Sequence, residues 1–298
     1  MQVITTRSAL TPLLLREKAL GRKIGFVPTM GALHDGHLSL IAESRKRADI
    51  TVSSVFVNPT QFNDPKDLAK YPRQPEKDAA MLEKAGCDYL YLPAVEDVYP
   101  EGPGKGPFFD LGGIDTRLEG ASRPGHFAGV AEVVKVLVET LVPDFLFLGQ
   151  KDFQQCMVVK RMLDQWDKHH WDSALQEASL NWRPGDVELV ICPIIREAHG
   201  LAMSSRNERL SGEMRTRASA IYASIQYAEE LFPTFSADEI STICANALNS
   251  IPDFQVDYFQ ILDGETLSPA NADTQKFVII TAVIVAGVRL LDNKIIIN

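Results

Sequence analysis

The sequence predicts an α/β protein: a parallel sheet covered by helices on both faces, followed by a smaller α+β domain. Three observations predict it. Short β-branched runs alternate with helical patterns through the first two-thirds of the 298 residues, which is the rhythm of a parallel sheet. Residues able to do chemistry stand just after those runs, where ligands bind in such sheets. Beyond Ile195 the order changes to helices and then strands, the signature of a second unit of another kind. The domains expected on this basis are 1–194 and 195–298.

The elements follow in order. Residues 24–27 read as a buried strand and 38–48 as a helix. A second strand covers 50–57 (ITVSSVFV), a helix 75–85 and a third strand 89–92. An amphipathic helix at 130–141 leads to a strand at 145–148 and a helix at 153–166, and 187–191 (VELVI) closes the series. The stretch 166–184, with His169, His170, Trp171 and Trp182, has no clear period and reads as a surface insertion. Adjacent histidines point different ways, which disfavours a metal site there. Residues 213–231 and 237–248 then read as helices, and 256–262, 277–285 and 288–297 as strands.

Composition narrows the function classes. Hydrophobic residues make up 45% and charged residues 23%, an ordinary globular mixture. The formal charge of −9 repels a nucleic-acid backbone, and Arg45, Lys46 and Arg47 read as a solvated helix face. Cys87, Cys156, Cys192 and Cys244 lack zinc or redox spacing and read as buried free thiols. The N-terminus has no apolar signal core, and the apolar stretch near 277–288 is too short to span a bilayer. A cytoplasmic protein is expected, with neither nucleic acid nor membrane as partner.

Four segments carry the chemistry. The first is Met30, Gly31, Ala32, Leu33, His34, Asp35, Gly36 and His37, between a strand and a helix start. Backbone N–H groups and the dipole at a helix start favour an anion. Two imidazoles three residues apart on the first turn can face one ligand and donate to phosphate oxygens as charge builds there. A zinc site on the same pair lacks an obvious third ligand. The second segment holds Asn58 and Gln61, neutral groups suited to hydroxyl and carboxylate recognition, though an ordinary turn has the same composition. The third is Gly149, Gln150, Lys151 and Asp152, with Gln155 one turn into the next helix. Lys151 offers a point charge for phosphate, and Asp152 suits a helix cap. The fourth runs from Ile195 to Met203, Ser204, Ser205 and Arg206, hydroxyls beside a guanidinium in a glycine-containing loop.

Together these segments (PTMGALHDGH, FVNPTQF, GQKDFQQ and LAMSSRN) resemble the pantoate–β-alanine ligase, or pantothenate synthetase, family. HxGH alone points only to the wider nucleotidyltransferase superfamily with its Rossmann-like fold, and MSSR resembles the KMSKS-type loop of class I aminoacyl-tRNA synthetases. FVNPTQF and KDxQQ narrow the match. The resemblance implies that ATP and pantoate give pantoyl adenylate and pyrophosphate, after which β-alanine attacks and AMP leaves. It implies catalytic roles for His34, His37 and Lys151, with His37 as proton donor. Ser204, Ser205 and Arg206 would hold the triphosphate, and Gln61 and Gln155 would hold pantoate. It further implies Mg²⁺ on the triphosphate, with Asp78 as a candidate outer ligand, a C-terminal lid and a homodimer. The rival readings are an adenylyltransferase with a stable nucleotide product and a non-catalytic nucleotide-binding protein. The family usually passes from the helix ending near Gln165 to the next strand by a shorter route, and the extra residues lie away from all four motifs.

Overall fold

A computed structural model of the chain describes residues 1–63, 65–106, 109–166, 182–232 and 234–297. It divides into two compact units: Met1–Gly149 with Gln155–Cys192, and Gln150–Gln154 with Pro193–Asn298.

The first unit carries a six-stranded parallel sheet, built from β1 (Gln2–Ile4), β2 (Ile24–Thr29), β3 (Ile50–Val55), β4 (Tyr89–Tyr91), β5 (Phe145–Gly149) and β6 (Glu188–Cys192) in the order β1-β4-β3-β2-β5-β6. The central strands are apolar and buried on both faces, as a helix-covered parallel sheet requires. Several polar residues within them are paired: Ser53 donates to the Val27 carbonyl at 3.0 Å and Thr29 to the Ser54 carbonyl at 2.7 Å. The helices include α1 (Arg7–Ala19), α2 (Asp35–Arg47), α3 (Pro65–Lys70), α4 (Pro75–Ala85), α5 (Val95–Val98), α6 (Glu119–Ser122), α7 (His126–Leu141) and α8 (Phe153–Gln165). Val27, Leu40, Ile41, Leu82, Leu90 and Phe147 form part of the core between α2, α4 and the sheet.

The strand order places the ligand crevice. From β2 the chain moves one way through β3 and β4, then crosses back to β5 on the other side of β2. Such a switch point opens a crevice at the carboxyl ends of the two strands. The histidine segment leaves β2 there and the lysine segment leaves β5 there.

The second unit sets α9 (Gly212–Arg217), α10 (Ala220–Leu231) and α11 (Ala237–Asn249) with an antiparallel sheet of β7 (Phe254–Asp263), β8 (Lys276–Val285) and β9 (Val288–Ile297). Ser236 and Glu239 start α11 with a reciprocal capping box. Ile221, Ile225, Ile240, Cys244, Ile279 and Val283 build its core.

Three expectations need correction. β1 and α1 are absent from the sequence reading, because β1 is three residues long and Pro12 lies inside α1. The helix expected over 213–231 is two helices; the Ser219 hydroxyl donates to the Thr216 carbonyl at 2.7 Å and competes with a continuous helix at that point. At the ends of the expected surface insertion, Trp166 and Trp182 are buried, and the Trp182 indole donates to the Pro143 carbonyl at 2.7 Å. His169, His170 and Trp171 lie outside the described residues. The four cysteines are buried free thiols; burial pushes Cys87 up to about 12 and Cys192 up to about 11, far from thiolate chemistry at neutral pH. Among the described residues no helix is long and apolar enough to cross a membrane.

Candidate active site

Between β2 and α2 the backbone makes a left-handed step at Gly31 (φ +82°) and Ala32 (φ +51°). Glycine is required at 31, since a Cβ there would lie 2.8 Å from Asp78 Oδ2. Asp78, on α4 and only 1% exposed, accepts from the N–H groups of Ala32 (3.0 Å) and Leu33 (2.9 Å), one on each oxygen. The carboxylate offered above as an outer metal ligand is therefore the clasp of the histidine loop.

His34 is the N-cap of α2. Its Nδ1 accepts from the Gly36 N–H at 3.1 Å, and the His37 Nδ1 accepts from the His34 N–H at 3.3 Å. Two imidazoles thus form a capping box, a device usually built from a hydroxyl and a carboxylate. Their ring centroids stand 4.1 Å apart. A neutral ring whose Nδ1 accepts carries its proton on Nε2. The N–H groups of His37 and Leu38 bond to the His34 carbonyl, and those of His34 and Gly36 bond to the rings.

β3 is followed by the short 3₁₀ turn Pro59–Gln61, capped by Asn58. Asn58 is buried. Its Nδ2 donates to Gln61 Oε1 (3.2 Å) and the Gly129 carbonyl (3.1 Å), and its Oδ1 accepts from the Tyr99 hydroxyl (2.8 Å) and from Thr60. Burial pushes the Tyr99 phenol upward, which keeps it a donor. All polar atoms of the Asn58 side chain are engaged by protein, so it bears on the site through Gln61. The Gln61 Nε2 lies 3.0 Å from Met30 Sδ, which sets this amide against the start of the histidine loop. The Gln61 carbonyl accepts from Arg123 Nη2 at 3.0 Å and lies 2.8 Å from His126 Nδ1. Gly129 lets α7 come this close: a Cβ there would lie 2.5 Å from the Thr60 carbonyl oxygen. Tyr99, Arg123, His126 and Gly129 escape the sequence reading; the glycine–histidine start of α7 (GHFAG) is their only local signal. Gln155 is half-buried on α8.

In the second unit, Gln150, Lys151 and Asp152 form a 3₁₀ turn. Lys151 Nζ pairs with Asp152 Oδ1 at 3.0 Å. The buried Asn293 of β9 donates from Nδ2 to the carbonyls of Gln150 and Lys151, both at 2.9 Å. The fourth segment is a closed loop in which Arg196 bridges Ala202 and the Met203 N–H donates to the Ile195 carbonyl at 2.9 Å. Arg196 grips Asp292 with both Nη atoms (2.6 and 2.9 Å) and stacks on Tyr222. Ser204 caps the following 3₁₀ turn Ser205–Arg209 by accepting from the Arg206 N–H. Asn207, buried, donates to Glu197 and to the Ala202 carbonyl. Burial works to raise the Glu197 carboxyl, but its bonds from Arg215 and Asn207 prevail and hold it below the usual range. Ser204, Ser205 and Arg206 are half-buried on this braced loop.

The chain matches the family model for pantoate-beta-alanine ligase over residues 2–295. It belongs to the pantoate–beta-alanine ligase family. The pantothenate synthetase of Porphyromonas gingivalis is 42% identical to it over 295 residues, 98% of either chain. That of a Bacteroides fragilis strain is 40% identical over the same share. Among solved structures, a pantothenate synthetase from Thermus thermophilus matches with a TM-score of 0.84 at 38% identity, covering 99% of both chains. A ligase of this family from Francisella tularensis, complexed with beta-gamma ATP and beta-alanine, matches with a TM-score of 0.74 at 31% identity, covering 99% of this chain and 97% of its own. In this ligase-family chain the first unit brings Met30, Asn58 and Gln61 into one hydrogen-bonded set beside His34 and His37, while β9 of the second packs against both the lysine turn and the turn after Ser204.

Proposed function

We propose that this chain condenses pantoate with β-alanine to give pantothenate, converting ATP to AMP and pyrophosphate through a pantoyl adenylate. The observation that carries the reading is the imidazole capping box at the carboxyl end of β2 with the Gln61 amide against Met30, in a chain that matches the ligase family end to end. A pantoate carboxylate oxygen attacks the α-phosphorus, and the bond to the β-phosphate oxygen breaks as pyrophosphate leaves. The amine nitrogen of β-alanine then attacks the acyl carbon. The acyl–oxygen bond breaks, AMP departs and the ammonium proton is released.

Each candidate residue has a part. His34 and His37 donate from Nε2–H to phosphate oxygens as negative charge grows, and prepositioned donors of this kind act on the transition state. A neutral donor at His37 meets the need that the proton-donor role describes. Lys151 adds a full positive charge, and Ser204, Ser205 and Arg206 bind the triphosphate. Met30, Gly31, Ala32, Leu33, Asp35 and Gly36, with Gly149, Gln150, Asp152, Ile195 and Met203, shape the walls of the ATP site. Gln61 and Gln155 bind pantoate, with Asn58 holding the Gln61 amide. Mg²⁺ travels with the triphosphate on phosphate and water oxygens; the Asp78 carboxylate is committed to the loop, and no protein ligand is assigned. The second unit supplies the serine–arginine segment. On family grounds the enzyme is a cytoplasmic homodimer, which light scattering after size exclusion tests for oligomeric state.

The decisive experiment is exchange of labelled pyrophosphate into ATP with pantoate and without β-alanine. Pantoate-dependent exchange is expected. A stable adenylylated product that survives added amine would instead establish the adenylyltransferase reading.

A further inference from the structure

Successive strand residues reach to opposite sides, and β9 uses this at Asp292 and Asn293 to hold two distant segments. Asn293, 1% exposed, is fully engaged: its Nδ2 donates to the Gln150 and Lys151 carbonyls, and its Oδ1 accepts from Gln150 Nε2 at 3.1 Å. Its own N–H donates to Asp292 Oδ1 at 2.8 Å. Asp292 in turn takes both Nη atoms of Arg196, at the base of the loop that bears Ser204, Ser205 and Arg206. One dipeptide therefore anchors the lysine turn and the serine–arginine loop within the same unit.

We propose that Asn293 is a positioning residue for the reaction: it fixes the turn from which Lys151 meets phosphate, in register with the serine–arginine loop. This rests on the reading of Lys151 as a phosphate ligand. A three-residue turn has few bonds of its own, and Asn293 replaces the missing ones with two donors to consecutive carbonyls. Without them the lysine stem pivots, and a misplacement of about 1 Å at a reacting group is enough for a hundredfold loss of rate.

The test is a double-mutant cycle read by pantoate-dependent pyrophosphate exchange, with melting temperature followed so that rates refer to folded enzyme. Asn293→Ala is expected to lower the exchange kcat at least about tenfold while the KM for pantoate stays within about twofold. Asn293→Asp keeps the volume and loses the Nδ2 donors, and is expected to reproduce the loss. In a Lys151→Ala background either change is expected to cost less than about twofold more, since contacts acting through one group are not additive. Equal losses in both backgrounds, a normal rate in Asn293→Asp, or a raised pantoate KM with unchanged kcat would overturn the proposal. If Lys151→Ala itself exchanges normally, the assigned role of Lys151 fails. If Lys151→Ala is crippled and the Asn293 variants are not, only the positioning role fails.

Discussion

At the scale of the residue, the two histidines cap α2 and, in the proposed reaction, donate to phosphate, two tasks that substitutions can separate. His34→Ala removes the cap acceptor and the ring donor together. His34→Asn restores a preferred N-cap residue and removes only the ring. We expect His34→Ala to lose about 1 kcal/mol of stability and His34→Asn to melt close to the parent, with both slow in pyrophosphate exchange; a fast His34→Asn enzyme would confine His34 to capping. His37→Ala and Lys151→Ala are each expected to lower turnover by at least about a hundredfold, the usual loss for one prepositioned electrostatic donor. A near-normal rate in either variant would remove that residue from the chemistry. Gln155→Ala is expected to raise the pantoate KM more than it lowers kcat. The contrast with Asn58 is instructive, because both are side-chain amides, one on α8 and one at the end of β3. Asn58 has its donors and acceptor engaged by Gln61, Gly129, Thr60 and Tyr99, so its removal acts first on the fold and only then on pantoate.

At the scale of the element, the site depends on how closely helices approach strand ends. Gly129→Ala places a methyl group 2.5 Å from the Thr60 carbonyl oxygen and must push α7 away from the Pro59–Gln61 turn. We expect a weaker pantoate KM with the histidine chemistry largely intact, measured by comparing exchange at saturating and limiting pantoate; an unchanged KM would show that the turn tolerates the displacement. The same contacts explain what is legible in the sequence. The helix at 75–85 and the strand at 288–297 are readable to the residue because their signals are local: a proline start after Gln74, and a glycine turn at Gly287 followed by the apolar residues Val288, Leu290, Leu291 and Ile295–Ile297. The motif residues are readable because strand-end chemistry is contiguous in sequence. Pairings such as Asp78 with Ala32, or Asn293 with Gln150, join residues 46 and 143 positions apart. No local pattern encodes them, which is why Asp78 reads as a metal ligand until its partners are seen. β1 lacks the length to show a period, and α1 is masked by its internal proline.

At the scale of the whole molecule, one carboxylate joins three elements of the first unit. Asp144, just before β5, accepts from Lys18 of α1 (2.8 Å), from Lys23 (3.0 Å) and from the Ile24 N–H that opens β2 (2.8 Å). Burial works to raise the Asp144 pKa, but these donors prevail and lower it, whereas burial lowers that of its deeper partner Lys18. The two directions disagree about the worth of the pair, and the explicit bonds to Asp144 decide it. A carboxyl whose folded pKa lies below its unfolded value contributes stability above the unfolded pKa and loses it as pH falls through the folded one. Asp144→Asn is therefore expected to cost about 1–3 kcal/mol at neutral pH, with the gap to the parent closing below pH 3.8, the ordinary value for this group. Urea unfolding at a series of pH values measures this, and a gap constant down to acid would refute it.

The switch-point order of the sheet also has a meaning in time. The histidine loop is complete by residue 37, yet β5, which flanks β2, arrives only after Asp144, 120 positions beyond the Ile24 it bonds. Spans of this kind close slowly compared with local helices and turns. A nascent chain carries its histidines long before it has the strand that flanks them in the folded sheet.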